Sequence, residues 1–247
     1  MKNQKGSTLI VVLLLLVVIT VIGTFAIRQS MVSLSIATNS QAQQLLMQSS
    51  DAVLYRISNS NFASTSGNPT SLLGYALKNE GNEVVFCFRS QINADTTFSV
   101  GSTSLLAWND TNTDVNPSGV SGFCDLTKAS DFVSSRKAQI TQVTIVANPP
   151  SNNSSKPLQS VSLGTDLGSL GKLDEEQSKK IRVYVTSLLP NMSSAKATDI
   201  IACLKRPSEK PLSGSQETID ACLLRENVPF NTQVQDFVLD TYLGAVT

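Results

Sequence analysis

The residues best suited to chemistry in this 247-residue chain are four cysteines, Cys87, Cys124, Cys203 and Cys222. Histidine is absent. That removes Ser-His-Asp and Cys-His catalysis, the HExxH metal site and every imidazole general base. Neither a GxxxxGK run nor a GxGxxG run occurs, so no phosphate-cradling loop is expected. The expectation is a protein that is not an enzyme and needs no cofactor.

The cysteines show no CxxC spacing, and without histidine a zinc site is disfavoured. In an oxidising compartment an even number reads as two disulfides. Three connectivities are possible. The sequential one, Cys87 with Cys124 and Cys203 with Cys222, is favoured because its second bridge would tie two short helical segments, 197–205 and 216–225. Each bridge would stabilise by roughly 3–4 kcal/mol in the loop-entropy model. Asp110, Asn112 and Asp114 set oxygen ligands at alternate positions, like the opening of a calcium loop. Val115 then stands where the turn glycine belongs and Ser121 where the closing Glu belongs, so a solvated turn is the expectation. Asn-x-Ser/Thr triplets at Asn109, Asn152, Asn153 and Asn191 are read as chance in a chain rich in Ser and Thr.

The elements that carry these residues follow from charge and periodicity. The 19 basic and 19 acidic side chains balance, but residues 1–50 hold Lys2, Lys5 and Arg28 and no acid. The remaining body is mildly acidic and offers no basic stripe for phosphates, so nucleic acid is not an expected partner. Residues 9–27 are apolar except for Thr20, Gly23 and Thr24. As a helix they span about 28 Å, close to the hydrocarbon thickness of a bilayer. The lysines before this run place the N-terminus in the cytoplasm and the body outside. A cleaved secretory signal would have a shorter apolar core and a small-x-small site, whereas this run ends Phe25-Ala26-Ile27-Arg28. Hydropathy alone does not distinguish a plain signal anchor.

Residues 29–50 contain no charge, no Gly and no Pro, so the helix should continue past the membrane to about residue 57. It would then be on the order of 77 Å long. Leu34, Leu45, Ala52 and Val53 are its candidates for packing on a head domain; the competing reading is an uncharged linker. A Ser/Asn/Gly/Pro-rich exit loop follows at 58–70. Strand-type runs occur at 83–89 (EVVFCFR), 102–108, 139–147 (QITQVTIVA), 180–187 (KIRVYVTS) and 234–243. In KIRVYVTS, Ile181, Val183 and Val185 alternate with Arg182, Tyr184 and Thr186, as a half-buried antiparallel strand requires. The charged run 174–180 (DEEQSKK) reads as an exposed loop or helix start. The fold class expected is α+β: a long N-terminal helix covering an antiparallel β-sheet head.

The junction Lys5-Gly6-Ser7-Thr8-Leu9-Ile10, where a basic leader ends in glycine directly before the apolar run, resembles the class III signal of type IV prepilins. The resemblance continues through GSTLIVVLLLLVVITVIGTFAIRQSMVSLSIATNSQAQQLLMQSSDAVLYRI and is greatest to the PilX-type minor pilins. It implies a pilin-like fold divided into a leader (1–6), a transmembrane and assembly helix (7–57) and a periplasmic or extracellular head (58–247). It also implies cleavage by the prepilin peptidase between Gly6 and Ser7, with N-methylation of Ser7. Major pilins carry Glu at the fifth mature position, where it is taken to pair with a neighbouring N-terminal amine; this chain has Val11. A buried acid is costly without such a partner, so Val11 points to a subunit at the fibre's start, or is one more membrane-facing apolar residue. Ser7 replaces the usual aromatic residue, which bears on methylation more than on cleavage.

The function implied is that of a minor pilin that primes a Gram-negative type IV pilus and joins its tip complex. Such fibres serve twitching motility, adhesion and DNA uptake. The partners implied are other minor pilins, the major pilin, the inner-membrane assembly platform and a large tip adhesin. The location implied is the inner membrane before assembly, then the periplasm and the pilus tip. The alternatives are a tip pseudopilin of a type II secretion system and a signal-anchored periplasmic enzyme or binding protein.

Overall fold

The computed structural model describes residues 5–58, 72–89, 100–108, 115–118, 122–134, 136–147, 178–209 and 216–240. Helix α1 runs without a break over Lys5–Ser58, 54 residues. Nothing in its sequence after Gly23 would stop it, since neither Gly nor Pro occurs again before Gly67. Helix α2 (Leu72–Lys78) follows, then strands β1 (Glu83–Cys87), β2 (Thr103–Trp108), β3 (Val115–Ser118), β4 (Ile140–Ala147) and β5 (Ser178–Leu188). Two short helices, α3 (Ala197–Leu204) and α4 (Ile219–Arg225), precede strand β6 (Phe230–Asp240). The chain divides into two compact units, residues 1–45 and 46–247, so the last turns of α1 belong to the head.

All six strands form one antiparallel sheet in the order β3-β2-β1-β4-β5-β6. Strand β4 lies centrally and is buried along its whole length. Its register sets Val84, Ile145, Val183 and Gln235 in one row across four strands. Alternation then divides the sheet into two faces. One face presents Val84, Phe86, Val143, Ile145, Ala147, Ile181, Val183 and Val185, which pack with Val53 and Ile57 of α1 and Leu72, Leu73 and Ala76 of α2. The opposite face presents Cys87, Ile140 and Leu188 to Ile200 and Leu204 of α3 and to Ile219 and Leu223 of α4. Each fully buried aliphatic side chain contributes about 1.5–3 kcal/mol, so the two helical layers make the head a closed unit.

The strands expected at 83–89, 102–108, 139–147, 180–187 and 234–243 are found with shifted ends. Strand β5 starts at Ser178, inside the charged run read as an exposed loop or helix start, because β6 supplies partners as far as Asp240. Helix α4 starts three residues later than expected because Thr218 caps it, its hydroxyl accepting from the Ala221 amide. Ile181, Val183 and Val185 are buried, with Arg182 and Tyr184 partly exposed opposite them. Thr186, expected to face solvent, is buried: its hydroxyl meets that of Thr232, which donates to Asp220 of α4. On α1 the expected packing set holds at Val53 and needs correction at its other three positions. Leu34 and Leu45 are exposed and Ala52 faces outward, while Leu46, Ser49, Ser50, Val53 and Ile57 are buried. The buried positions follow the 3-4 spacing of one helix face; Leu45 and Ala52 lie one step, about 100°, off it.

Two glycines are required by geometry. Gly81 has φ of 77° in the turn that leads into β1. A Cβ on Gly122 would stand 2.2 Å from the Ser104 amide nitrogen and 2.3 Å from the Val85 carbonyl oxygen, so the chain can cross the β1–β2 ladder there only without a side chain.

Candidate assembly and anchoring site

The N-terminal portion of α1 has the properties of a segment built for an apolar environment. Residues 9–36 are exposed except for the half-buried Gly23, with Leu13, Leu14, Ile19, Phe25 and Met31 all more than half accessible. Burial inside the chain therefore does not account for these apolar side chains. Among the described residues one helix is long and apolar enough to cross a membrane, and none of its most apolar window is buried. The polar groups in the segment are satisfied locally: Thr20 and Thr24 donate to the carbonyls of Val17 and Val21, each at 2.8 Å. Ser35 and Thr38 likewise bond back to Met31 and Leu34. Hydroxyls closed onto the preceding turn remove the cost of taking them into hydrocarbon.

Gly6, Ser7 and Val11 all fall within α1. For Gly6 and Ser7 only the backbone is described; the Val11 side chain is 56% exposed. The oxygen series Asp110, Asn112 and Asp114 lies outside the described residues, as do the triplets at Asn109, Asn152 and Asn153. Asn191 spends its side-chain amide on the carbonyl of Lys137. Among the described residues no group of three or more Cys, Asp or Glu side chains is placed to hold a metal ion.

Where α1 meets the sheet, four hydroxyls form a buried chain. Ser49 lies 2.7 Å from Thr141, Thr141 lies 3.0 Å from Ser187, and Ser187 lies 3.0 Å from Ser50. Ser50 also donates to the Leu46 carbonyl. A buried polar network of this kind costs stability when misregistered by one residue, so it specifies one seating of the helix on β4 and β5. Arg56 adds a cation over the Phe88 ring, 5.2 Å from its centroid. Single hydroxyls spaced along a helix gave no sequence signal of this cluster, because its partners come from strands 92 and 137 residues away.

The cysteines pair Cys87 with Cys124 and Cys203 with Cys222, and no free cysteine remains. Gln142, buried on β4, links the two bridged regions: its carbonyl accepts from the Cys124 amide and its amide donates to the Leu204 carbonyl at 2.7 Å. The second bridge joins α3 to α4.

An apolar helix leading into a helix-covered antiparallel sheet is a pilin-like α+β architecture. Residues 5–54 match the family model described as PilX N-terminal, so this segment is similar to a PilX-type N-terminal region of the type IV pilins. No curated protein and no solved structure matches the chain.

Proposed function

We infer that this chain is a minor pilin that takes part in priming a type IV pilus, with no catalytic activity of its own. The observation that carries this reading is the match of residues 5–54 to the PilX N-terminal family on a helix whose apolar face the chain itself leaves exposed. The leader through Gly6 is removed by a prepilin peptidase and the new terminus at Ser7 is methylated. The helix holds the subunit in the inner membrane of a Gram-negative cell, N-terminus inward, until it is extracted into the fibre. Burial of that helix among those of neighbouring subunits then drives assembly. Val11 supports a place at the tip, among other minor pilins, the assembly platform and a large adhesin, because a carboxylate there is useful only with an amine above it. Twitching, adhesion and DNA uptake would depend on it through the fibre.

Mass spectrometry of the native N-terminus tests the reading. The mature chain should begin at methylated Ser7, and Gly6→Val should accumulate precursor; normal processing of that variant overturns the assignment. Immunolabel found evenly along fibres instead of at their ends would remove the tip position while keeping the pilin reading. Loss of secretion with intact pili would transfer the chain to a type II secretion pseudopilin.

A further inference from the structure

The sheet face opposite α1 carries a buried carboxylate that the proposed function does not use. Glu83, at the start of β1, is fully buried. One carboxylate oxygen accepts from the Ser208 amide at 2.8 Å and the other from the Glu209 amide at 3.1 Å. Both amides belong to the strap at 206–209, which leaves α3 immediately after Cys203 and Leu204. The strap is held at two further points. The Ser208 hydroxyl donates to Thr144 at 2.9 Å, and the Pro207 carbonyl accepts from the Ile219 amide at 2.9 Å.

The charges around Glu83 do not neutralise it. Its register partners on β2 and β4 are Leu106 and Val146, neither of which titrates. From the strap, Glu209 brings a second acid, and Arg206 stands at the strap's beginning. From β5, Arg182 and Tyr184 reach this face, but both contact Glu209: Arg182 at 3.1 Å and the Tyr184 hydroxyl at 2.7 Å. Arg182 is further occupied by Asp236 of β6, through bonds of 2.7 and 3.1 Å. The arginine thus serves two other carboxylates, and among the described residues no ion pair is made to Glu83.

We propose that Glu83 is a proton-operated latch on the 206–209 strap, which holds both strap amides when ionised and releases one of them when protonated. A carboxylate offers both oxygens as acceptors, whereas a neutral carboxyl turns one of them into a donor. The second amide then faces a hydroxyl group, and the strap loosens at the Ser208–Glu209 peptide. Burial, opposed by the two amide bonds and reinforced by Glu209, pushes the Glu83 carboxyl up to about 7. The change therefore falls within the range of pH met outside the cytoplasm. The strap follows α3, which the Cys203–Cys222 bridge ties to α4 on the sheet face opposite α1.

The test is an amide nitrogen and proton shift titration of the full chain in detergent micelles between pH 5 and 9. In the wild type the Ser208 and Glu209 amides should move together with a midpoint near 7. In Glu83→Gln both should be flat. In Glu209→Gln, which removes the neighbouring negative charge, the titration should persist with a lower midpoint. Wild-type amides that do not respond to pH, or a response that survives in Glu83→Gln, would overturn the proposal. If Glu83→Gln does not fold, Glu209→Gln decides alone: loss of the titration, or an unmoved midpoint, overturns it equally.

Discussion

Asp131 illustrates how much of the head depends on single buried acids. Its side chain is fully buried, 2.7 Å from Arg89 Nε, and it also accepts from the Asp125 amide at 3.0 Å and the Ser130 hydroxyl at 3.2 Å. These bonds tie the segment bearing Cys124 to the end of β1 bearing Cys87, so the acid and the disulfide hold the same two pieces of chain. Removing one member of a buried pair leaves the other desolvated and uncompensated. Because Arg89 keeps 18% of its side-chain exposure, the loss is discounted to about 2–4 kcal/mol for Asp131→Ala. Asp131→Asn, which keeps an acceptor, should lose less. Equilibrium denaturation with the disulfides intact measures both, and a loss under ~1 kcal/mol for the alanine variant would show the pair to be energetically idle.

Among the elements, the last turns of α1 matter most, because they join an exposed apolar segment to a folded head. Val53 and Ile57 supply burial, but apolar burial alone tolerates sliding and rotation. The hydroxyl chain of Ser49, Thr141, Ser187 and Ser50 does not, since each donor needs its partner at one place. Ser50→Ala and Ser187→Ala should each cost about 1–2 kcal/mol. The double variant should cost less than their sum, because the two share a bond. Strict additivity in thermal or urea unfolding would mean that the hydroxyls act independently. The seating could not be found from the helix sequence, where Leu45 and Ala52 look as suitable as Leu46 and Val53. Only the strands opposite choose between the two faces.

Across the whole molecule, two carboxylates give stability opposite dependences on pH. Glu83 is raised from an ordinary 4.5 to about 7. The stability associated with its neutral form is complete below about 4.5 and is lost as pH rises through about 7. Asp236 is lowered, chiefly by its hydrogen bond to Arg182, so its contribution is present above the ordinary carboxylate range and is lost on acidification. The unfolding free energy of the wild type relative to Glu83→Gln, read by denaturant unfolding, should therefore rise as pH falls from 8 to 5, by an amount on the order of a few kcal/mol. A constant difference across that range would show that Glu83 titrates as an ordinary exposed acid.

What the sequence determined by itself is the part of the protein that rests on local composition: an uncharged apolar run over residues 9–27 within one long helix, and strands whose alternation or apolar runs survive any context. These are readable because helix and strand periods are properties of neighbouring residues. The partnership of the four cysteines was open to three arrangements in the chain, and spacing could only favour one of them. Helix α2 and strand β3 carry too short a pattern to stand out, and Thr186 looks solvent-facing until α4 covers it. Glu83, Asp131 and the four hydroxyls acquire their roles from groups tens of residues away. Tertiary structure alone decided these, because the cost of burying a polar group depends on which distant chain arrives to satisfy it.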